Sequence, residues 1–441
     1  MSSATFVNMR VNNAEQFKNS ASDPNANTNL YLTFGKVTGW ANDASPDVAN
    51  SSVATGYEIW SNMIGGKKLS SGDMCHVVPR FDWTANTKYI AYDHMSSSLY
   101  DGNTKFYVLT GDYNVYKCIA NANSTNSTVQ PTAINPGALS TTSDGYTWKY
   151  MYTISDSDQL RFTTSQYMPV RKISADDGSL QWQVQYSTPP GRINSILLTN
   201  RGSNTYSNST NITVSINGDG QSAAAQAVLN TSSNTIDSIL VTDYGYDYTY
   251  ASINISGGGG TGATAKAIIS PPGGHGTNPL YELGGAAIMI NGILKNTEEN
   301  NFPAVNDYRQ ISLLKNPLAY NSSNVCSNLR FVQAYTLTTI GTGDYQQDEI
   351  VYQGAALSTA SFSGRIVSWD SSNGLAVIIN TLGTPTAQSL VGSNTSTSRF
   401  VGSINPPDLQ KTSGEILYVD NILPITRATD QAEDFKIVVK F

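Results

Sequence analysis

The sequence predicts a mainly β protein, with a β-sandwich or barrel core, few short helices and two inserted small β modules. Short β-branched and aromatic runs are separated by Gly, Asn, Asp and Ser about every 8 to 12 residues, a spacing typical of sandwiches and small barrels. Helical periodicity is scarce, and one long internal repeat lies in the middle of the chain. These features favour sheets over helices along most of the sequence.

Two candidate helices stand out. The first covers residues 14–19 and takes Asn12 or Asn13 as its N-cap. The second covers residues 51–64, and Gly65 follows it where a left-handed C-cap is favoured. Apolar residues recur in the second helix at helical spacing, and we interpret them as a core-facing stripe: Val53, Tyr57, Trp60 and Ile64.

Candidate strands combine β-branched and aromatic residues between turn residues. Four clear examples cover residues 30–34, 105–109, 148–154 and 416–419. The closing segment, 414–441, contains two further strands, EILYVDNI and FKIVVKF.

The internal repeat predicts a compact β module. INSILLTNRGSNTY (193–206) is echoed 43 residues later by IDSILVTDYGYDY (236–248). AAAQAVL (223–229) is likewise echoed by ATAKAII (263–269). Small alternating side chains let sheets approach closely, so we expect the two copies to stack. PPG and PPGGHG punctuate the ends of the module, which we place at residues 191–275 as an insertion.

A second insertion is predicted at residues 326–412. It contains three alternating runs between residues 348 and 380, DEIVYQG, FSGRIVSWD and GLAVIIN, and we expect a small barrel of the SH3-like kind. The remaining segments form the predicted core: an N-terminal part (1–190), a continuation (276–325) and C-terminal strands (413–441).

Charge excludes several classes of function. Lys and Arg number 26 and Asp and Glu number 33, so charged residues make only 13% of the 441 residues, with a net charge of −7. Nucleic-acid binders need a basic face, and no basic run here is longer than Lys67-Lys68. No apolar run approaches the roughly 20 residues of a membrane span, and the N-terminus lacks the pattern of a signal peptide. We therefore expect neither nucleic acid nor membrane as a partner.

Metal and cofactor sites are not indicated. The three cysteines, Cys75, Cys118 and Cys326, form no CxxC pair and are expected to be buried thiols. The three histidines are far apart in sequence and are expected to be structural, with satisfied hydrogen bonds: His76, His94 and His275.

Catalytic motifs are not indicated either. GGGGTGATAK places Gly257, Gly259 and Gly262 in a GxGxxG pattern. Only eight residues separate the last glycine from Pro271-Pro272, and they alternate as strands do, so we expect a β-turn rather than a dinucleotide site. No GxSxG elbow occurs. The sequence therefore predicts neither an enzyme nor a bound cofactor, metal or small-molecule substrate.

Tyrosine is the most distinctive contact residue. The chain has 25 tyrosines against 12 phenylalanines, and tyrosine is enriched at protein interfaces. A cluster in one turn and its flanks is a candidate protein interface: Tyr244, Tyr246, Tyr248 and Tyr250. The alternative is that these rings cap the ends of the β module.

Seven sequence motifs resemble a known family in their order along the chain. Together they are similar to the dimeric baseplate wedge subunit of T-even-like contractile-tailed bacteriophages, over about residues 1–190, 276–325 and 413–441. Arg80, in the third motif, is expected to be structural; it pairs with Asp82 or with a distant acid, and the alternative is that it is solvated. The motifs are NTNLYLTFGKVTGWAND (27–43), GYEIWSNMIGGKKL (56–69), VVPRFDW (77–83), NVYKCI (114–119), SDGYTWKYMYTI (143–154), YRQISLLKNPL (308–318) and SGEILYVDNILPITRATDQAEDFKIVVKF (413–441).

The resemblance implies a structural virion protein. Such a subunit forms a homodimer, binds other baseplate wedge proteins and helps to form the baseplate that triggers sheath contraction, with no known reaction. It implies a location in the tail baseplate of the virion, after synthesis and assembly in the cytoplasm of the host bacterium. The alternative function is a carbohydrate-binding or polysaccharide-degrading phage tail protein, which Tyr- and Asn-rich turns on a β scaffold would also suit.

Overall fold

The computed structural model describes residues 4–21, 28–295, 307–426 and 431–441. Strands make up 43% of the chain and helices 13%, which confirms the predicted mainly β class. The described residues contain five helices: α1 (Val7–Ser20), α2 (Val53–Asn62), α3 (Asp156–Phe162), α4 (Leu180–Tyr186) and α5 (Pro279–Glu282). Their strands are β1 (Leu30–Gly35), β2 (Met63–Lys68), β3 (Met74–Pro79), β4 (Tyr107–Leu109), β5 (Asn114–Asn121), β6 (Ser140–Thr141), β7 (Tyr146–Thr153), β8 (Tyr167–Pro169), β9 (Ile193–Arg201), β10 (Ile212–Gly218), β11 (Gln221–Asn230), β12 (Thr235–Tyr246), β13 (Ala251–Gly257), β14 (Ala263–Ile269), β15 (Ala287–Lys295), β16 (Tyr308–Lys315), β17 (Arg330–Val332), β18 (Tyr335–Ile340), β19 (Ile350–Gln353), β20 (Phe362–Asp370), β21 (Leu375–Leu382), β22 (Ser389–Gly392), β23 (Ser398–Asn405), β24 (Glu415–Ile425) and β25 (Ala432–Lys440).

The chain divides into two compact units. The first unit contains Met1–Gln16, Cys75–Met289 and Val438–Phe441, and the second contains Phe17–Met74 and Ile290–Ile437. The domain boundaries expected from the sequence stay a prediction. Residues 427–430, within the last family motif, lie outside the described residues.

A four-stranded sheet with the order β4-β5-β7-β6 forms part of the first unit. Along β7, the consecutive residues Trp148 to Tyr152 are all buried. Since successive side chains point to opposite faces of a strand, both faces of the sheet are covered there. This explains why the motif is a nearly continuous apolar and aromatic run. In the same unit Arg80 follows β3, and its Nε lies 2.8 Å from Oδ1 of Asp82, which confirms the nearer of the two expected partners.

The repeat forms a module in which the two copies exchange strands. Each copy supplies three strands, β9 to β11 from the first and β12 to β14 from the second. The third strand of each copy pairs with the first strand of the other, as β11 with β12 and β14 with β9. The middle strands, β10 and β13, pair with each other. The module is therefore pseudo-twofold, and equivalent residues of the copies, such as Ile196 and Ile239, share one buried cluster.

The second unit contains a five-stranded antiparallel sheet with the order β17-β2-β1-β16-β24. Strand β1 pairs with β16 in unbroken register from Leu30 to Gly35. Helix α2 contributes Ile59 and Trp60 to a buried cluster with the β1 residue Tyr31.

The structure corrects the predicted end of α2. The helix begins after Ser52, whose hydroxyl accepts the Thr55 N–H at 3.1 Å. It ends at Asn62, because Met63 adopts an extended conformation (ψ 130°), so Gly65 lies in β2 and does not cap the helix. The predicted stripe is buried at Trp60 and Ile64 but exposed at Val53 and Tyr57. The helix packs through a narrower face than its apolar spacing suggests.

Helix α1 is longer than predicted. It extends from Val7 to Ser20, so Asn12 and Asn13 lie inside it and neither is the N-cap. Val7, Val11 and Ala14 follow helical spacing, and the last two are fully buried. This packing outweighs the weak helix propensity of the β-branched and Asn residues in its first half.

A closed six-stranded barrel follows in the second unit. Its strand order is β18-β21-β20-β19-β22-β23, and hydrogen bonds between β18 and β23 close it. The predicted barrel is therefore confirmed, and its three predicted strands correspond to β19, β20 and β21. Closure removes open sheet edges, and Phe362, Ile366 and Ile378 are fully buried inside the barrel's cluster.

Candidate interaction site

The tyrosine cluster lies at the end of β12 and in the turn before β13. Tyr246 is exposed, and its hydroxyl hydrogen bonds Oε1 of Gln221 at 3.2 Å. Tyr250 is the most exposed of the four rings. Tyr244 is half-buried, with the guanidinium of Arg192 at 5.8 Å from its ring centroid. Tyr246 and Tyr250 are therefore accessible to a partner, and their role as contact residues stays a prediction.

Tyr248 is buried in the core of the module, unlike Tyr246 and Tyr250, and a place at an interface stays a prediction for it. Its side chain is 5% exposed. A Cβ atom on Gly220 would lie 2.4 Å from the ring, so glycine is required for this close approach. Tyr206 occupies the matching place in the other copy, where a Cβ on Gly260 would lie 2.4 Å from its ring. The alternative, that rings cap the module, applies to this tyrosine.

A cleft of about 530 Å³ lies in the first unit beside the C-terminal end of β7. Buried side chains form its floor, including Tyr150, Tyr152 and Ile154. Its walls are the start of α3 and residues between 171 and 181, which include the start of α4. No sequence motif indicates this cleft, because its walls come from segments that only the fold brings together.

The walls of the cleft are held by side-chain hydrogen bonds. Ser155 and Ser179 cap α3 and α4, and their hydroxyl oxygens accept backbone N–H groups at 3.3 and 3.0 Å. Gln185 accepts the N–H of Ile173 at 3.0 Å and donates to its carbonyl at 2.8 Å. The cleft is therefore formed by ordered elements.

The cleft carries one uncompensated negative charge. Arg171 and Asp158 form a two-point ion pair with both N···O distances at 2.7 Å, and this hydrogen bonding raises the pKa of Arg171. Asp177 accepts the Ser179 N–H at 3.0 Å, and hydrogen bonds from Ser179 lower the pKa of its carboxyl group. In the described part of the chain, Asp177 forms no ion pair. The charged groups of the lining therefore sum to −1.

A buried ionic cluster lies elsewhere in the first unit. Lys117 and Lys149 are direct neighbours on β5 and β7, and both are buried. Lys117 Nζ lies 2.9 Å from Oε2 of the buried Glu282 and 4.0 Å from the ring centroid of Tyr92. Lys149 Nζ donates to the carbonyl of Pro136 at 2.6 Å. The only sequence signal for this cluster is a lysine within each of two otherwise apolar strand motifs.

His275 lies against this cluster and departs from the expected satisfied histidine. Among the described residues, neither of its ring nitrogens has a hydrogen-bond partner. Burial lowers its pKa well below the usual value, and the charges of Lys117 and Lys149 lower it further. Burial also lowers the pKa of Lys149 to about 8. His76 matches the expectation, since its Nδ1 lies 2.8 Å from a backbone carbonyl.

The remaining sequence motifs have structural positions. The glycine run connects β13, which ends at Gly257, to β14, so it is the predicted turn between strands. The three cysteines are buried, and none of them forms a disulfide within the described residues. No group of three or more His, Cys, Asp or Glu residues in the described ranges is arranged to hold a metal ion. Among the residues described, no helix is long and apolar enough to cross a membrane.

Comparison with known families gives one match. Residues 3–135 match the family model described as Phage-Gp8: Bacteriophage T4, Gp8. No curated protein matches the chain significantly. The matched region contains four of the seven family motifs, as well as α1, α2 and β1 to β5. Over this region the chain resembles the T4-like baseplate wedge subunit, and the match supports a structural role in a phage tail baseplate.

Proposed function

We propose that this chain is a baseplate wedge subunit that holds neighbouring baseplate proteins in place and takes part in the trigger of sheath contraction. The match over residues 3–135 carries the proposal, and the three later motifs, in the expected order, extend it along the chain. In this proposal the chain acts through fixed protein interfaces, where buried aromatic anchors and a polar rim provide affinity.

The proposed partners are a second copy of the chain and other wedge proteins. The low charge content of 13% suits this role, since charges are costly to desolvate at the centre of an interface. Tyr246 and Tyr250 are candidate contact residues because they are exposed and aromatic. The chain would be made in the host cytoplasm and assembled there into the virion.

A cryo-electron map of the intact particle tests the proposal. The chain should fit density within the sixfold baseplate, and density elsewhere in the particle would contradict it. Size-exclusion chromatography with light scattering tests the dimer, for which twice the 47.4 kDa chain mass is expected. Binding of the purified chain on a glycan array, with no baseplate density, would favour the carbohydrate-binding alternative.

We also propose that residues 191–275 and 326–412 are insertions that decorate the outer surface or contact additional partners. Each region contains its own buried cluster, as independent modules do. Deletion of residues 191–275 should leave the rest of the chain soluble. Loss of soluble protein would contradict an independent module.

A further inference from the structure

The cleft beside β7 has the size and surface of a binding site that the proposed function does not assign. Its volume of about 530 Å³ is within the range of roughly 300–1,000 Å³ common for ligand pockets. Tyr150 and Tyr152 line the cleft but are only 2% and 3% exposed, while Leu180 is 43% exposed and gives the cleft an accessible apolar group. Such a surface suits a side chain with an apolar stem and a polar end.

The charges of the cleft determine which charge on the polar end of a bound side chain is favoured. Arg171 is already occupied by Asp158 through two hydrogen bonds, so it offers little attraction to an anionic ligand. Asp177 has no cation partner among the described residues. Asp176, next to it in the chain, is exposed and likewise forms no ion pair with a described residue. A positively charged group is therefore favoured at this end of the cleft.

We propose that this cleft binds a lysine or arginine side chain of a partner protein, with Asp177 as its anionic contact. The aliphatic stem of the bound side chain packs against Leu180 within the cleft, and its charged end reaches the carboxylate. The walls need little reorganisation, because the hydrogen bonds of Gln185 and the caps of α3 and α4 already hold them. Preorganisation of this kind lowers the entropic cost of binding.

A pair of short peptides tests the charge requirement on the full chain. The probe is acetyl-Leu-Arg-Leu-amide, and its matched control replaces arginine by citrulline, which has nearly the same shape without the charge. By isothermal titration calorimetry, the arginine peptide should bind about two- to fivefold more tightly, the effect of one exposed ion pair. Asp177→Asn should remove this difference, since asparagine keeps an oxygen for the Ser179 N–H.

Two further variants locate the binding. Ser157→Trp, at the lining of the cleft, should abolish binding of both peptides by filling the cavity. Asp47→Asn, which removes an exposed carboxylate of the second unit, should leave binding unchanged. Equal affinity for the two peptides, no measurable binding, or a preference that survives Asp177→Asn would overturn the proposal. These outcomes are independent of the cryo-electron test, since they use the isolated chain.

Discussion

The repeat module and the closed barrel enclose their cores in different ways. Each has ten buried residues in its cluster, but twelve half-buried apolar residues pack on the module cluster and only two on the barrel cluster. The barrel is one sheet closed by hydrogen bonds, so no open sheet edge lies beside its interior. The module joins a four-stranded sheet and a two-stranded sheet and leaves apolar groups at their margins. Closure of the sheet, more than the number of apolar residues, therefore decides how completely the apolar core is buried.

The units that contain these two regions also differ in the groups that donate hydrogen bonds to a buried carboxylate. In the barrel, Glu349 accepts N–H groups of Gln346 and Asn394 at 2.7 and 3.1 Å, and both donors are neutral. In the first unit, Glu282 pairs with Lys117. Both arrangements provide hydrogen bonds to a buried carboxylate. In the second, the Lys117 ammonium group also lies near His275 and adds positive charge there. Electrostatic sensitivity is therefore expected in the first unit.

The largest effect is expected from a cavity in the closed barrel. Phe362→Ala removes a fully buried ring and should lower the free energy of unfolding by about 3–5 kcal/mol. Hydrogen exchange of the barrel strands in increasing urea measures this loss. Phe400→Ala is the matched control, because that ring is 49% exposed and its loss should change stability by less than about 1 kcal/mol. Similar losses for both variants would contradict a buried core.

The next effect tests the twofold symmetry of the module. Gly220→Ala and Gly260→Ala each force a Cβ against a buried tyrosine ring. Each should lower the free energy of unfolding by about 1–3 kcal/mol through overpacking, and the two values should agree. Gly56→Ala is the control, because it lies in α2 with open space around the new Cβ and should stabilise slightly. A large effect at only one of the two module positions would contradict equivalent packing.

A decrease in pH should lower the stability of the first unit more than that of the second. The folded pKa of His275 is below the unfolded value of about 6.5, so the unfolded state binds more protons. Stability from its neutral form is present above pH 6.5 and falls as the pH decreases. The first unit should therefore lose stability as the pH decreases from 6.5 to 5, by at most about 1.4 kcal/mol for each pH unit from this group.

Hydrogen exchange at several pH values measures this loss in each unit. The second unit contains no histidine in its sequence, so it serves as the internal reference. His275→Gln should flatten the pH dependence of the first unit. An unchanged slope in that variant would exclude His275 as the cause.

The smallest effect on stability is expected at the exposed tyrosines. Tyr246→Ala and Tyr250→Ala should each change the free energy of unfolding by less than about 0.5 kcal/mol, because both rings are exposed. Co-purification with baseplate proteins should nevertheless weaken if these rings contact a partner. Tyr248→Ala should instead destabilise the module strongly, since its ring is buried. Normal co-purification of both the Tyr246→Ala and the Tyr250→Ala variants would contradict a role of these two rings in the interface.

Local patterns in the sequence determined much of the fold. Alternation and turn residues identified β1, β19, β20 and β21, because strand periodicity and glycine conformations act over a few residues. The repeat identified six module strands, since two similar segments form similar elements. The ends of α2 were less predictable. Apolar spacing continued to Ile64, but pairing in β2 ended the helix at Asn62.

The mainly β class, the strand-rich repeat and the resemblance to the baseplate wedge family follow from the sequence alone. Only the tertiary structure decided that the repeat copies exchange strands, that β18 and β23 close the barrel, and that Tyr248 is buried while Tyr250 is exposed. It also decided that Lys117 meets Glu282, 165 residues away. The physical reason is that strand propensity is local, whereas strand pairing, burial and electrostatics depend on groups that are distant in sequence.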